Sequence, residues 1–199
     1  MKVVIIGATG TIGRAVVDEL SSRHEIIKVG RKSGDVNVDI NSAESITQMY
    51  ETIGSFDALV STTGNVHFGD LNQMSEADYY VGIKDKLMGQ VNLVLIGKKY
   101  INDAGSFTLT SGILSHDPIN YGSSASMVNG AIDGFVIGAA IELPKGIRIN
   151  SVSPGMVLES IDIYGDFFRG HEPVPAKRVA LAFSKSVEGL LNGKVFQVI

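Results

Sequence analysis

Cysteine is absent from the 199 residues, which excludes both a disulfide framework and a thiolate metal site. Basic excess is absent too: the formal net charge is -4, so nucleic acid meets no positive field. No apolar run approaches the roughly 18 residues of a membrane helix, and the Gly-rich stretch 122–140 is interrupted by Asn129 and Asp133. The start MKVVIIGATG carries too short an apolar run for a signal peptide. A soluble, cytoplasmic protein with no membrane and no nucleic-acid partner is the expectation. Metal-ligand spacing is missing as well. His116 and His171 each sit beside an acid but have no further partners, and neither paired carboxylates nor a Ser-His-Asp order occurs. No metal is expected. With no repeat, low-complexity tract or charge block, residues 1–199 read as one domain.

What is present is a regular alternation. KVVII at 2–6 is an apolar strand, TIGRAVVDEL at 11–20 has helical spacing, and EIIKV at 25–29 is again a strand. DVNVD at 35–39 predicts a short third strand, followed by a helix that Asn41 can cap with Glu44 completing a capping box. FDALV at 56–60 is the next strand, and Ser75 can cap a long helix reaching about Tyr100. GSFTLTS at 105–111, a helix over 122–143, GIRINSV at 146–152, a helix whose first turn holds Pro175, and KVFQVI at 194–199 complete the series. Strands alternating with helices imply an α/β doubly wound parallel sheet with helices on both faces. Ligands then bind at the carboxyl ends of its strands.

The first strand-to-helix turn is GATGTIG, with glycines at 7, 10 and 13. Gly7 permits the turn, Gly10 lets backbone approach a diphosphate, and Gly13 brings the helix close to the strand. The helix start adds amide donors and positive potential. Thr9, Thr11 and Ile12 belong to the same nucleotide loop. At the end of the second strand, where a site for NAD needs an acid, the sequence has Arg31 and Lys32, which favours the 2'-phosphate of NADP. Asp39, beside Ile40, suits either the adenine amino group or capping of the next turn.

These stretches resemble the short-chain dehydrogenase/reductase family, whose Rossmann-type fold they imply. The resemblance runs through GATGTIG, VDI at 38–40, LVSTTG at 59–64, LTSG at 109–112 and, most specifically, ELPKGIRINSVSPG at 142–155. It implies a nicotinamide site near Ser153, Pro154, Gly155 and Val157. STTG replaces the family's Asn-Asn-Ala-Gly, so Ser61, Thr62 and Gly64 take the adenosine-side positions. In that family a Ser polarises the substrate oxygen, a Tyr exchanges its proton, and a Lys lowers the Tyr pKa and holds ribose. The serine position is Ser111. Counting back from ELPKGIRIN, the Tyr position falls on Ala125 and the Lys position on Asn129, whereas Lys86 occupies the place of the family's helical Asn.

A catalytic reading therefore gives roles to Ser111 and Lys86, with Lys86 standing in for the lost ammonium or snorkelling to the surface beside Asp85. Tyr121 can act as the acid only if the helix start is irregular, and His67 lies in a loop near the rim. Small residues at 122, 126, 130, 134 and 138 make one face of that helix flat; because this helix packs on its symmetry mate in the resembled family, the resemblance implies a homodimer or homotetramer contact there, with a pocket floor opened by Ala125. YGDFFRGHEPVP at 164–175 serves as a reduced lid. Together with the resemblance these features imply an NADP-dependent oxidoreductase acting on a carbonyl or alcohol, in a pocket wide enough for larger or more exposed substrates. The alternative is a catalytically degenerate NADP(H)-binding sensor.

Overall fold

Strand β1 (Lys2–Ile6) is apolar on both faces because both are covered: Val3 to Ile6 are all buried. Such a strand belongs in the middle of a parallel sheet. The computed structural model, which describes residues 1–199, places β1 there in a sheet of order β3-β2-β1-β4-β5-β6-β7. The remaining strands are β2 (Glu25–Gly30), β3 (Val36–Asn37), β4 (Phe56–Ser61), β5 (Ile101–Thr110), β6 (Arg148–Pro154) and β7 (Val195–Val198). All neighbouring pairs are parallel. The helices are α1 (Thr11–Leu20), α2 (Ala43–Ile53), α3 (Glu76–Gly82), α4 (Gly89–Gly97), α5 (Ser123–Ala139), the short α6 (Ile161–Tyr164) and α7 (Ala176–Glu188).

Alternate residues of each strand feed separate cores. Val4, Ile6, Leu59 and Phe107 pack with Ile46, Leu93 and Val128 on one side; Val3, Ile5, Val60 and Val152 pack with Val16, Val179 and Phe183 on the other. The doubly wound, helix-on-both-faces architecture expected from the alternation is thus present. No helix of the chain is long and apolar enough to cross a membrane. The strand order runs outward in both directions from β1 and β4, so the crevice above their carboxyl ends is the binding position of the fold.

Several local expectations are corrected. Ser42, not Asn41, caps α2, its hydroxyl accepting from Ser45 N at 3.2 Å, while Asn41 donates to Asp85 at 3.2 Å instead. The third strand is reduced to two residues because Asp39 N already turns to the Ser45 hydroxyl at 2.9 Å. Strand β5 starts four residues earlier than its apolar stretch, at Ile101, with Ala104 in the left-handed region at φ 60°. Pro175 stands at the cap of α7, one residue before its first turn, and α5 ends at Ala139, not 143. The consequential correction concerns the long middle helix. It is not continuous: Ile83–Met88 forms a π-helical segment between α3 and α4. Such segments are rare and concentrate at functional sites. Lys86 lies inside it.

Candidate active site

The GATGTIG loop is built for an anion. Gly7 has φ 80°, a conformation that glycine adopts without strain, and a Cβ on Gly13 would overlap the Gly7 carbonyl, so only glycine lets α1 seat on the loop. Gly10 caps α1 without a side-chain hydrogen bond and no acid stands in the first turn. The leading amides of a ten-residue helix are therefore open to a diphosphate. Beyond them a cleft is lined by Gly7, Arg31, Asp39, Ile40, Asn41 and Asp85, among others. Arg31 approaches Asp39 at 3.5 Å, and Asp39 also accepts from Asn41 N at 3.1 Å, so the capping use of Asp39 is realised. Lys32 is exposed and lies outside the cleft lining.

A second chamber of about 250 Å³ continues the cleft across the sheet ends. Ile12, Thr62, Gly64, Lys86, Ser111, Pro154 and Gly155 line it, together with Ala125, Asn129 and an apolar wall of Val66, Phe68, Ile113, Leu114 and Phe168. Thr62 donates its hydroxyl back to Ile6 O at 3.0 Å, locking β4 to the glycine loop. Ser61 is fully buried, and Thr9 and Thr11 stand at the exposed rim outside both chambers. Val157 bridges to Val174 and lines an adjoining apolar chamber with Met156, Tyr164 and Phe168.

Lys86 is aimed inward by its π turn. Its Nζ donates to Ser111 O at 2.8 Å and to Asn129 Oδ1 at 2.7 Å, and its stem crosses Gly64 so closely that a Cβ there would stand 2.6 Å from Lys86 Cγ. Lys86 is therefore no snorkelling surface residue. Asn129 and Lys86, which the family resemblance sets at its Lys and Asn positions, meet in space, so on that assignment the pair is exchanged end for end. Burial withdraws this ammonium from water and lowers its pKa to about 8, against the opposing pull of the Asp133 carboxylate. Ser111 Oγ and Ser153 Oγ are buried with no partner in the protein. Unpaired buried hydroxyls at the carboxyl ends of β5 and β6 fit a site completed by a nicotinamide cofactor and its substrate.

Other candidates are placed elsewhere. Tyr121 precedes α5 with φ 63°, but its ring meets Phe167, 6.5 Å between centroids, and it does not line the chamber. His67 turns toward Asp78 at 3.9 Å. Two residues of consequence were not singled out for a role from the sequence. Gln90, fully buried, accepts from Thr110 N and donates to Thr110 O, both at 2.9 Å, and so fixes the strand end that carries Ser111. Asp133 accepts from Ser151 Oγ at 2.8 Å and Ser115 Oγ at 3.1 Å, one turn along α5 from Asn129. The available signal for both was a polar residue on a face otherwise committed to the core.

Comparison with known proteins gives the family and the fold. A family profile described as Enoyl-(Acyl carrier protein) reductase matches residues 2–168. Among solved structures, the protein lin1944 from Listeria innocua is 51% identical with a TM-score of 0.98, both chains being covered in full. A small-chain dehydrogenase crystallised in complex with NADPH is 26% identical with a TM-score of 0.88, covering 100% of this chain and 96% of that one. The uncharacterized oxidoreductase YmfI of Bacillus subtilis (strain 168) is 26% identical over 188 residues, 77% of this chain and 74% of that protein. For glucose and ribitol dehydrogenase homolog 2 of Arabidopsis thaliana the identity is 26% over 124 residues, and the match spans only 43% of that relative.

Proposed function

The chain belongs to the short-chain dehydrogenase/reductase family, and from that premise we propose that it is an NADP-dependent oxidoreductase reducing a small carbonyl compound or oxidising the corresponding alcohol. One observation carries the catalytic reading: Lys86 Nζ lies at the chamber, on Ser111 O and Asn129 Oδ1, where it replaces the ammonium that the family supplies from α5. NADPH supplies the hydride when bound. Gly7, Gly10 and the open start of α1 hold its diphosphate, Arg31 its 2'-phosphate, and Ile12, Pro154 and Gly155 its nicotinamide end. Ser111 Oγ orients the substrate oxygen, and Lys86 exchanges the proton that the missing tyrosine does not provide.

The NADPH-bound relative supports the cofactor assignment. NADPH should bind at least tenfold tighter than NADH, worth about 1.4 kcal/mol, and Arg31→Asp should remove the preference. Calorimetry with both cofactors checks this; equal affinities would refute the role of Arg31. Ala125, 2% exposed within the wall, favours a second reading, an NADP(H)-binding sensor without turnover. Titration with NADPH followed by a screen of carbonyls for its oxidation separates the two.

We also propose a homodimer or homotetramer in the cytoplasm. A Cβ at Gly134 or Gly138 would meet nothing within 4 Å, and Ile137 and Ile141 on the same helix and turn are exposed. Gly134→Leu should therefore leave the protomer folded and shift the mass measured by light scattering to that of the monomer. An unchanged mass would place the association elsewhere.

A further inference from the structure

The polar side chains around Ser111 share one property: they offer protons. Lys86 Nζ has two acceptors, both neutral, and a third N–H left over. Asn129 spends its oxygen on Lys86, and its amide nitrogen, with no hydrogen-bond partner in the protein, lies beside Gly112 of the chamber lining; Ser111 Oγ is buried and unpaired. No Asp or Glu lines this chamber, and Lys86 is its single charged group. The Asp133 carboxylate is turned to Ser115 and Ser151. A half-buried cation whose direct acceptors are all neutral gains from an anion brought against it. The rest of the wall is apolar, with Phe68 and Phe168 shared between this chamber and the adjoining one of about 220 Å³.

Resting on the oxidoreductase reading above, we propose that the chamber takes a 2-oxo acid with an apolar side chain, its carboxylate held by Lys86 and the Asn129 amide and its ketone oxygen by Ser111. The Lys86 ammonium rests on Ser111's own carbonyl, so the two kinds of donor are adjacent, as the carboxylate and ketone oxygens of a 2-oxo acid are. The apolar group then lies against Phe68 and Phe168. The reaction balances as 2-oxo acid plus NADPH plus one proton giving 2-hydroxy acid plus NADP⁺. The carbon–oxygen π bond breaks, a C–H bond forms at C2 with the electron pair of the reduced cofactor, and the proton passes to the ketone oxygen from the Lys86 ammonium, which lies between the carboxylate and ketone oxygens and regains a proton from water. The reaction class that supplies such a substrate is removal of the amino group from an apolar amino acid.

The experiment is calorimetry on the NADPH-loaded protein with benzoate and with benzamide, its neutral counterpart of the same shape. Benzoate should bind at least tenfold more tightly, and Lys86→Met and, independently, Asn129→Ala should each remove most of that difference. Phenylglyoxylate should likewise be reduced in preference to its methyl ester. Equal affinity for the two probes, or a benzoate preference untouched by both variants, overturns the 2-oxo acid assignment while NADPH binding leaves the oxidoreductase reading standing. Benzoate binding that depends on Lys86 in a protein that does not bind NADPH would instead keep the anion site and overturn the oxidoreductase reading.

Discussion

Lys86→Met should leave NADPH affinity within a few fold of the wild type and lower the rate of carbonyl reduction by about a hundredfold to ten-thousandfold, the usual worth of a positioned acid. The expectation follows from position: the ammonium touches Ser111 O and Asn129 Oδ1 at the chamber, and Ala125 offers no alternative hydroxyl. Its protonated form is the donor, and its pKa is about 8, so reduction should decline as pH rises through 8. Stability should move the other way. An unfolded lysine keeps its proton up to about 10.5, whereas the folded one releases it near 8, so the unfolded state binds more protons between those values and wild-type stability rises with pH across that window. Below pH 8 the folded protein carries the full cost of the buried charge. Lys86→Met lacks that slope. Unfolding curves at pH 7.5 and 10 for both proteins check the stability claim, and pH–rate profiles check the catalytic one. Wild-type turnover indifferent to Lys86→Met would move the proton donor elsewhere and make Tyr121, beside Phe167, the next residue to test.

Restoring the family's arrangement should raise reduction by a comparable factor, but only if three residues change together. Ala125→Tyr with Asn129→Lys alone brings a second ammonium to a place where Lys86 Nζ already lies 2.7 Å from the residue 129 side chain. Two like charges at that range, partly desolvated, repel strongly. The double variant should therefore lose stability and gain little. Adding Lys86→Asn reverses the exchange completely, and the helical spacing of four sets the new tyrosine and lysine, at positions 125 and 129, on one face beside Ser111. Rates of NADPH oxidation for the double and triple variants, read beside their melting temperatures, test this. Ser111→Ala in the triple variant should abolish the gain. A double variant as stable and as active as the triple one would show that Lys86 does not share space with residue 129.

The pairing of Lys86 with Asn129 marks the boundary between what was legible in the sequence and what was not. A short apolar run between turn residues is a local signal, and buried strands such as β1 and β4 carry it, so the layered sheet could be read residue by residue. The glycine loop is equally local, because the turn, the helix start and the close packing fall within seven residues. Position in the strand order followed from these, and with it the location of Ser111 at the end of β5.

The cap of α2, the interruption of the middle helix and the aim of Lys86 were decided elsewhere. Asn41 and Ser42 are both good caps; the choice fell to Ser42 because Asn41 is drawn to Asp85, 44 residues away. Nothing in IKDKLM forbids an α-helix. The π segment exists where Gly64 gives the Lys86 stem room to cross and where Asn129, 43 residues on, offers an acceptor. Gln90 and Asp133 likewise draw their roles from partners on other elements. The sequence alone determined the order of elements and the glycine turn between β1 and α1, since each depends on neighbours in the chain. Only tertiary structure decided which charge faces the chamber, because burial and hydrogen-bond partners come from segments that approach one another through the sheet.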